Sequence, residues 1–284
     1  MSGAGEIALG ALDALWRQLV LGLGLVFALG ALLYAVQWAT HRALHRAIGF
    51  RGIVIWTGWL GTPVHEFSHY VVGKLFGLDI TEVKPFAPDP QTGVLGYVAY
   101  RRPELSLTSL HKVIGTFAMG IAPLFGGTAV LWAASRLLID PASDGSFRRE
   151  ARELTELVTT GGPMDVLRGF YELTASLYGA VFQHGTGDWR TWVFLYVALA
   201  VGAHLAPSSA DLKGGLRGFL VLCGLGLLAN TIALLAGAQP TDAVAPLASA
   251  SSWAAALLIL ALMLNLGNLA VSWLLAAIVT RVRD

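Results

Sequence analysis

Apolar stretches about as long as a bilayer is thick recur along this chain, and that recurrence limits the fold more than any other feature. A membrane-crossing helix needs about 20 mostly apolar residues. Six segments meet or approach that length: 18–39, 52–77, 113–138, 191–207, 216–238 and 253–279. Only 13% of the 284 residues are charged and 55% are hydrophobic, whereas soluble domains carry about 25% charged residues. The expected fold class is an all-α polytopic membrane protein of about six transmembrane helices, with a small β-hairpin after the second. Residues 1–284 are read as a single integral membrane domain, with the lipid bilayer as its surroundings.

Charge and cysteine content exclude other classes. The net charge of +1 gives no basic field for nucleic acid. The single cysteine, Cys223, rules out an internal disulfide and a cysteine-based zinc cluster. No basic region precedes a short apolar core and a small-residue cleavage site, so the first run is expected to stay as a span. Lys and Arg near span ends set orientation. With both termini cytoplasmic, that side holds Arg17, Lys74, Lys84, Arg101, Arg102, Lys112, Lys213, Arg217, Arg281 and Arg283. Outside the long loop, the other side holds Arg42, Arg46 and Arg51. The expected location is the cell (cytoplasmic) membrane, as a multi-pass protein with both ends inside.

Three connections have character. HRALHRAIGFRG (41–52) is basic and amphipathic and is expected at the membrane surface. Residues 79–102 place β-branched and aromatic residues around a Pro/Asp/Gly turn, which predicts a hairpin with strands near 80–86 and 94–100. Residues 139–190 form a long extramembrane loop. Two helical pieces are expected in it, a charged one (FRREARELTELV) and a more apolar one (PMDVLRGFYELTASLYGAVF).

The second run holds TPVHEFSHYVVG (62–73), which puts His65, Glu66 and His69 at membrane depth. Intramembrane ionisable residues are rare and functional by default. HEFSH fits the pattern H-E-x-x-H, and the 7 histidines and 8 glutamates of the chain predict roughly 0.005 chance matches. Residues i and i+4 share a helix face, so the two imidazoles can hold one Zn²⁺. The glutamate beside them can take the proton of a water that attacks a carbonyl. His41 and His45 have the same spacing, but Arg42 stands where the glutamate belongs, and this pair is read as surface. Pro63 cannot donate to the carbonyl of Trp59, so the helix is expected to kink or restart there, with Thr62 as its cap.

Zinc needs a third protein ligand and an open position. Outside the motif, membrane depth offers His204, Asp211 and Cys223. On a continuous helix His204 and Asp211 would sit about 10.5 Å apart along the axis, too far to share one ion. Pro207 and the serines of HLAPSSADLKG are expected to break that helix. Asp211 is taken as the ligand, and His204 as a group behind the ligands or a transition-state donor. A plain helix cap for Asp211 stays open. Asn265 and Asn268 read as interhelical hydrogen bonds.

HEFSH in the second run, a hairpin after it, GIAPLFGG in the third and a Pro-containing Asp motif further on resemble the site-2 protease family of intramembrane zinc metalloproteases. The resemblance covers roughly residues 52–215. It implies zinc on His65, His69 and Asp211, Glu66 as catalytic base, and membrane-spanning or membrane-associated proteins as substrates. The family often has an Asn, a Pro three residues on, then Asp-Gly. Here His204 takes the Asn place, Pro207 the Pro place, and Asp211 falls one residue early before Leu212. Ser68 replaces a frequent glycine. Val94 to Tyr100 are the candidate edge to hold an unwound substrate by strand addition, and a hairpin that only covers the active-site mouth stays open as the alternative. The competing expectations are a membrane zinc-binding or transport protein without hydrolysis, and an inactive scaffold of the same fold.

Overall fold

The computed structural model describes residues 3–139, 153, 156–157, 162–182 and 186–283. The chain begins with one long helical run. It consists of α1 (Gly3–Arg17), a π-helical segment Gln18–Leu23, α2 (Gly24–Ile53), a second π-helical segment Val54–Gly58, and α3 (Trp59–Leu75). At 1.5 Å per residue such a run is over three times longer than the hydrocarbon core is thick. It is broken at Gly49, whose φ of 66° and ψ of −178° lie outside the helical region and suit glycine alone.

Strands β1 (Asp79–Lys84) and β2 (Tyr97–Arg101) follow, then a short 3₁₀ turn (Leu107–Ser109) and α4 (Leu110–Leu138). The remaining helices are α5 (Pro163–Phe182), α6 (Trp189–Gly202), α7 (Ser209–Leu235) and α8 (Val244–Arg283). The molecule is mostly helical, with one two-stranded antiparallel sheet. Among the described residues, four helical runs are long and apolar enough to cross a membrane: Ala4–Leu75, Leu107–Leu138, Ser209–Leu235 and Leu258–Arg281. The fourth expected segment is the apolar but short α6, because the chain leaves the helix at Ala203, before Pro207.

α8 lies at the centre. Leu258 to Leu264 are all buried, as expected of a helix apolar on every side. They pack with Leu29 and Leu33 of α2, Leu124 and Leu131 of α4, and Phe194 and Val201 of α6. Asn268 Nδ2 donates to the carbonyl of Leu199 on α6 at 3.0 Å, an interhelical bond as expected. Asn265 instead donates within its own helix, to Ala261. Large apolar side chains such as Trp16, Trp38, Trp59 and Trp273 point outward, where a bilayer would receive them.

Several local expectations need correcting. α3 runs through Pro63 without restarting, and no side chain caps its start. The irregularity sits upstream instead, in the π-helical segment 54–58, where the hydrogen-bond ladder has slipped by one residue. In the 41–52 stretch Arg42, Arg46 and Arg51 are exposed. Ala43, Leu44 and Ala47 are buried, because α2 continues to Ile48 with that face against the bundle. The strands are shorter than 80–86 and 94–100. Pro85 has no N–H to give the ladder, and the pairing runs from Asp79 opposite Arg101 to Lys84 opposite Tyr97. The charged piece FRREARELTELV lies almost wholly outside the described residues, whereas the apolar piece forms α5.

Candidate metal centre

Three donors from two distant parts of the chain meet in one place. His65 and His69 stand one turn apart on α3, and Asp211 is in the first turn of α7. The two Nε2 atoms are 3.1 Å apart. Asp211 lies 3.2 Å from His69 Nε2 and 3.6 Å from His65 Nε2. Among the described residues, this is the group of His, Cys, Asp or Glu donors close enough to share an ion.

Backbone hydrogen bonds fix which nitrogen faces inward. His65 Nδ1 is 2.6 Å from the carbonyl of His204, and His69 Nδ1 is 2.7 Å from the carbonyl of Met119. A carbonyl only accepts, so each Nδ1 carries the hydrogen and each neutral ring turns a lone pair inward at Nε2. Two lone pairs and a carboxylate thus converge at 3.1 to 3.6 Å, an arrangement that favours a cation among them. A tetrahedral ion with bonds of about 2.0–2.1 Å separates its ligands by about 3.3 Å. The two Nε2 atoms, at 3.1 Å, and His69 Nε2 with Asp211 Oδ1, at 3.2 Å, lie near that value, whereas the 3.6 Å contact of His65 Nε2 is to the other carboxylate oxygen, Oδ2. Two imidazoles and one carboxylate suit a borderline divalent metal with a fourth position open.

Close helix contacts hold the donors there. A Cβ on Gly120 of α4 would lie 2.7 Å from the carbonyl oxygen of Asp211, so only glycine lets α7 approach this closely. Gly215 and Gly218 extend the same seam, meeting the α4 backbone at Phe117. On the other side of α3, Gly61 rests against the carbonyl of Ala200 and the ring of His204. α3 is therefore clamped between α4 and the end of α6, and α7 is drawn onto α4 at the level of the motif.

Asp211 also starts its own helix. Its Oδ2 accepts from the Ser208 N–H at 2.7 Å, and its N–H donates to Ser208 Oγ at 3.2 Å. This is a capping box, so the cap reading and the ligand position describe the same carboxylate.

Glu66 is buried and lines the cavity that holds the three donors. The cavity has a volume of about 620 Å³, and the hairpin stretch Gly93–Val98 forms one wall. Hairpin hydrogen bonds continue past the strands, from Ala87 N–H to Leu95 and from Asp89 N–H to Val94. β2 pairs only with β1 in the sheet, so its other edge is not taken up by a strand. Outside the helices, Asp89 is held below its usual pKa by the N–H of Gln91 and the hydroxyl of Thr92. Glu82 is likewise lowered by the hydroxyl of Tyr97, then by Lys84.

His204 is buried and lines the same cavity, but it does not belong to the donor group. Its Nε2 is 3.2 Å from Thr57 Oγ1, and that hydroxyl is 3.3 Å from the carbonyl of Ile53. With the hydroxyl donating to Ile53, His204 Nε2 donates to it. The ring also lies 5.2 Å from that of His41. His41 is therefore a wall of the cavity and not a surface residue, although His45 is exposed. Thr57 and the carbonyl of Met119 gave no sequence signal, since neither belongs to a recognisable spacing. Cys223 on α7 stays outside the donor group. Comparison of the chain with family models, with curated proteins and with solved structures finds no match.

Proposed function

We propose that the chain is an intramembrane zinc metalloprotease that hydrolyses peptide bonds of membrane-spanning or membrane-associated proteins. The observation that carries the reading is the convergence of His65 Nε2, His69 Nε2 and the Asp211 carboxylate, with one donor atom from each within 4.8 Å of the others, beside a buried glutamate in a shared cavity. The resemblance to site-2 proteases over residues 52–215 points the same way. We further propose six crossings. The first helical run counts twice because of its break at Gly49, and α6 counts as a short crossing.

In this reading His65, His69 and Asp211 hold the zinc, which when bound supplies Lewis acidity to the water and to the scissile carbonyl. Glu66 takes the proton of the attacking water and passes it to the leaving amine nitrogen. The buried position of Glu66 keeps bulk water from competing for that proton. His204 positions His65 through its carbonyl and does not touch the reacting atoms. The free edge of β2 holds the substrate in extended form, since a helical substrate hides its carbonyls in its own ladder.

The test is Glu66→Ala in the full chain, purified in detergent and loaded with zinc. Stoichiometric zinc with cleavage of a membrane-spanning reporter reduced ~10²- to 10⁴-fold is expected. Full cleavage by this variant, or wild-type protein that takes up no zinc, refutes the proposal.

A further inference from the structure

Eight hydroxyl-bearing residues are buried among the described residues: Thr40, Thr57, Thr62, Ser68, Thr116, Thr128, Thr191 and Ser272. Seven of them donate to a backbone carbonyl. Thr62 is the exception. It is 4% exposed, and its Oγ1 has no protein partner. Helical threonines normally bond back to the carbonyl four residues earlier. For Thr62 that carbonyl belongs to Gly58, the last residue of the π-helical segment. Thr62 does not make that bond.

The location matters as much as the missing bond. Thr62 is one turn before Glu66 on the same helix and lines the same cavity. It faces the hairpin wall at Gly96, where a Cβ would come within 2.9 Å of Thr62 Cγ2. Two of the three unpartnered buried side-chain atoms among the described residues, Thr62 Oγ1 and His41 Nε2, belong to residues lining this cavity. A helical threonine has two χ1 rotamers available, so the hydroxyl can turn into the cavity without moving α3.

We infer that the Thr62 hydroxyl is a substrate-binding group that donates a hydrogen bond to a backbone carbonyl of a peptide lying extended in the cavity that Thr62 and the hairpin stretch Gly93–Val98 line. The inference rests on the metallopeptidase reading and adds to it a contact that recognises peptide backbone irrespective of side chain. It gives the buried hydroxyl an acceptor only when substrate is present.

Two zinc-directed probes separate this contact from the metal. Acetohydroxamate has only the chelating group, whereas a trileucyl hydroxamate adds an extended backbone. Both are titrated against zinc-loaded wild type, Thr62→Val and Thr62→Ser. Thr62→Val should bind acetohydroxamate like wild type but the trileucyl probe ~10-fold more weakly, and Thr62→Ser should restore it. Thr62→Val should also melt no lower than wild type, because a methyl replaces an unpartnered buried hydroxyl. Equal binding of the trileucyl probe by wild type and Thr62→Val overturns the inference. So does a lowered melting point of Thr62→Val together with equally weakened binding of both probes, the pattern of a purely structural role. Zinc-loaded wild type that binds neither probe overturns the metallopeptidase reading itself, and this inference with it.

Discussion

Replacing Gly120 by alanine tests how finely the helix contacts tune the metal centre. The added Cβ would sit 2.7 Å from the carbonyl oxygen of Asp211. Ordinary C···O approaches begin near ~3.3 Å, so the start of α7 must retreat by roughly 0.6 Å. Both groups are backbone or rigidly attached to it, so no flexible side chain can absorb the overlap. Metal–ligand bonds tolerate only about ±0.2 Å, and the retreat carries the Asp211 carboxylate away from His65 and His69. Zinc affinity should fall ~10- to 100-fold, the range seen when ligand orientation is disturbed. Overpacking should cost about 1–3 kcal/mol of stability. Zinc affinity is measured by competition with a chromogenic chelator in detergent, and stability by thermal unfolding of the metal-free protein. Gly224→Ala is the control, because a Cβ on that α7 glycine meets nothing within 4 Å, and it should be neutral or slightly stabilising. Unchanged zinc affinity in Gly120→Ala would show that the α4–α7 seam does not set the ligand geometry.

Other consequences are open to measurement. Thr57→Val removes the acceptor of His204 Nε2 without touching a metal ligand, and should weaken zinc binding ~10-fold. Thr57→Ser should not, and equal affinities in all three proteins would deny His204 its positioning role. In the hairpin, Asp89 has a lowered pKa in the folded state. Its contribution is therefore present above the unfolded value and lost as pH falls through the folded one. The protection of the Gln91 and Gly93 amides, relative to their intrinsic exchange rates at each pH, should fall on acidification below the ordinary carboxylate range and lose that dependence in Asp89→Asn. A pH-independent exchange protection in wild type would show that the turn does not depend on the carboxylate.

The half of the site on α3 was readable because H-E-x-x-H is a local pattern and helical spacing converts it directly into a shared face. Asp211 was harder to place. Its approach depends on the glycines at 120, 215 and 218 meeting across two helices, and one-dimensional spacing carries no information about such partners. The same limit explains His41. Its i, i+4 partner His45 suggested a surface pair, but spacing describes a residue's own helix and not what that helix packs against. Pro63 shows a different failure. The missing N–H predicts a restart of the helix at Pro63, yet α3 runs through it and the irregularity lies upstream, in the π-helical segment 54–58. Hydropathy located most of the apolar helices. It does not predict that α1 to α3 join into one run, because composition marks segment ends where the connection itself is helical.

The capping box at Ser208 and Asp211 has a consequence for how the site fills. A carboxylate on a free side chain must be ordered when an ion arrives, and that loss of rotamer freedom opposes binding. Here one oxygen is already tethered to the Ser208 N–H, and the imidazoles are already oriented by backbone carbonyls. In the proposed metal-site reading, folding itself has ordered all three donors, so an arriving ion would meet a site whose entropic cost is already spent.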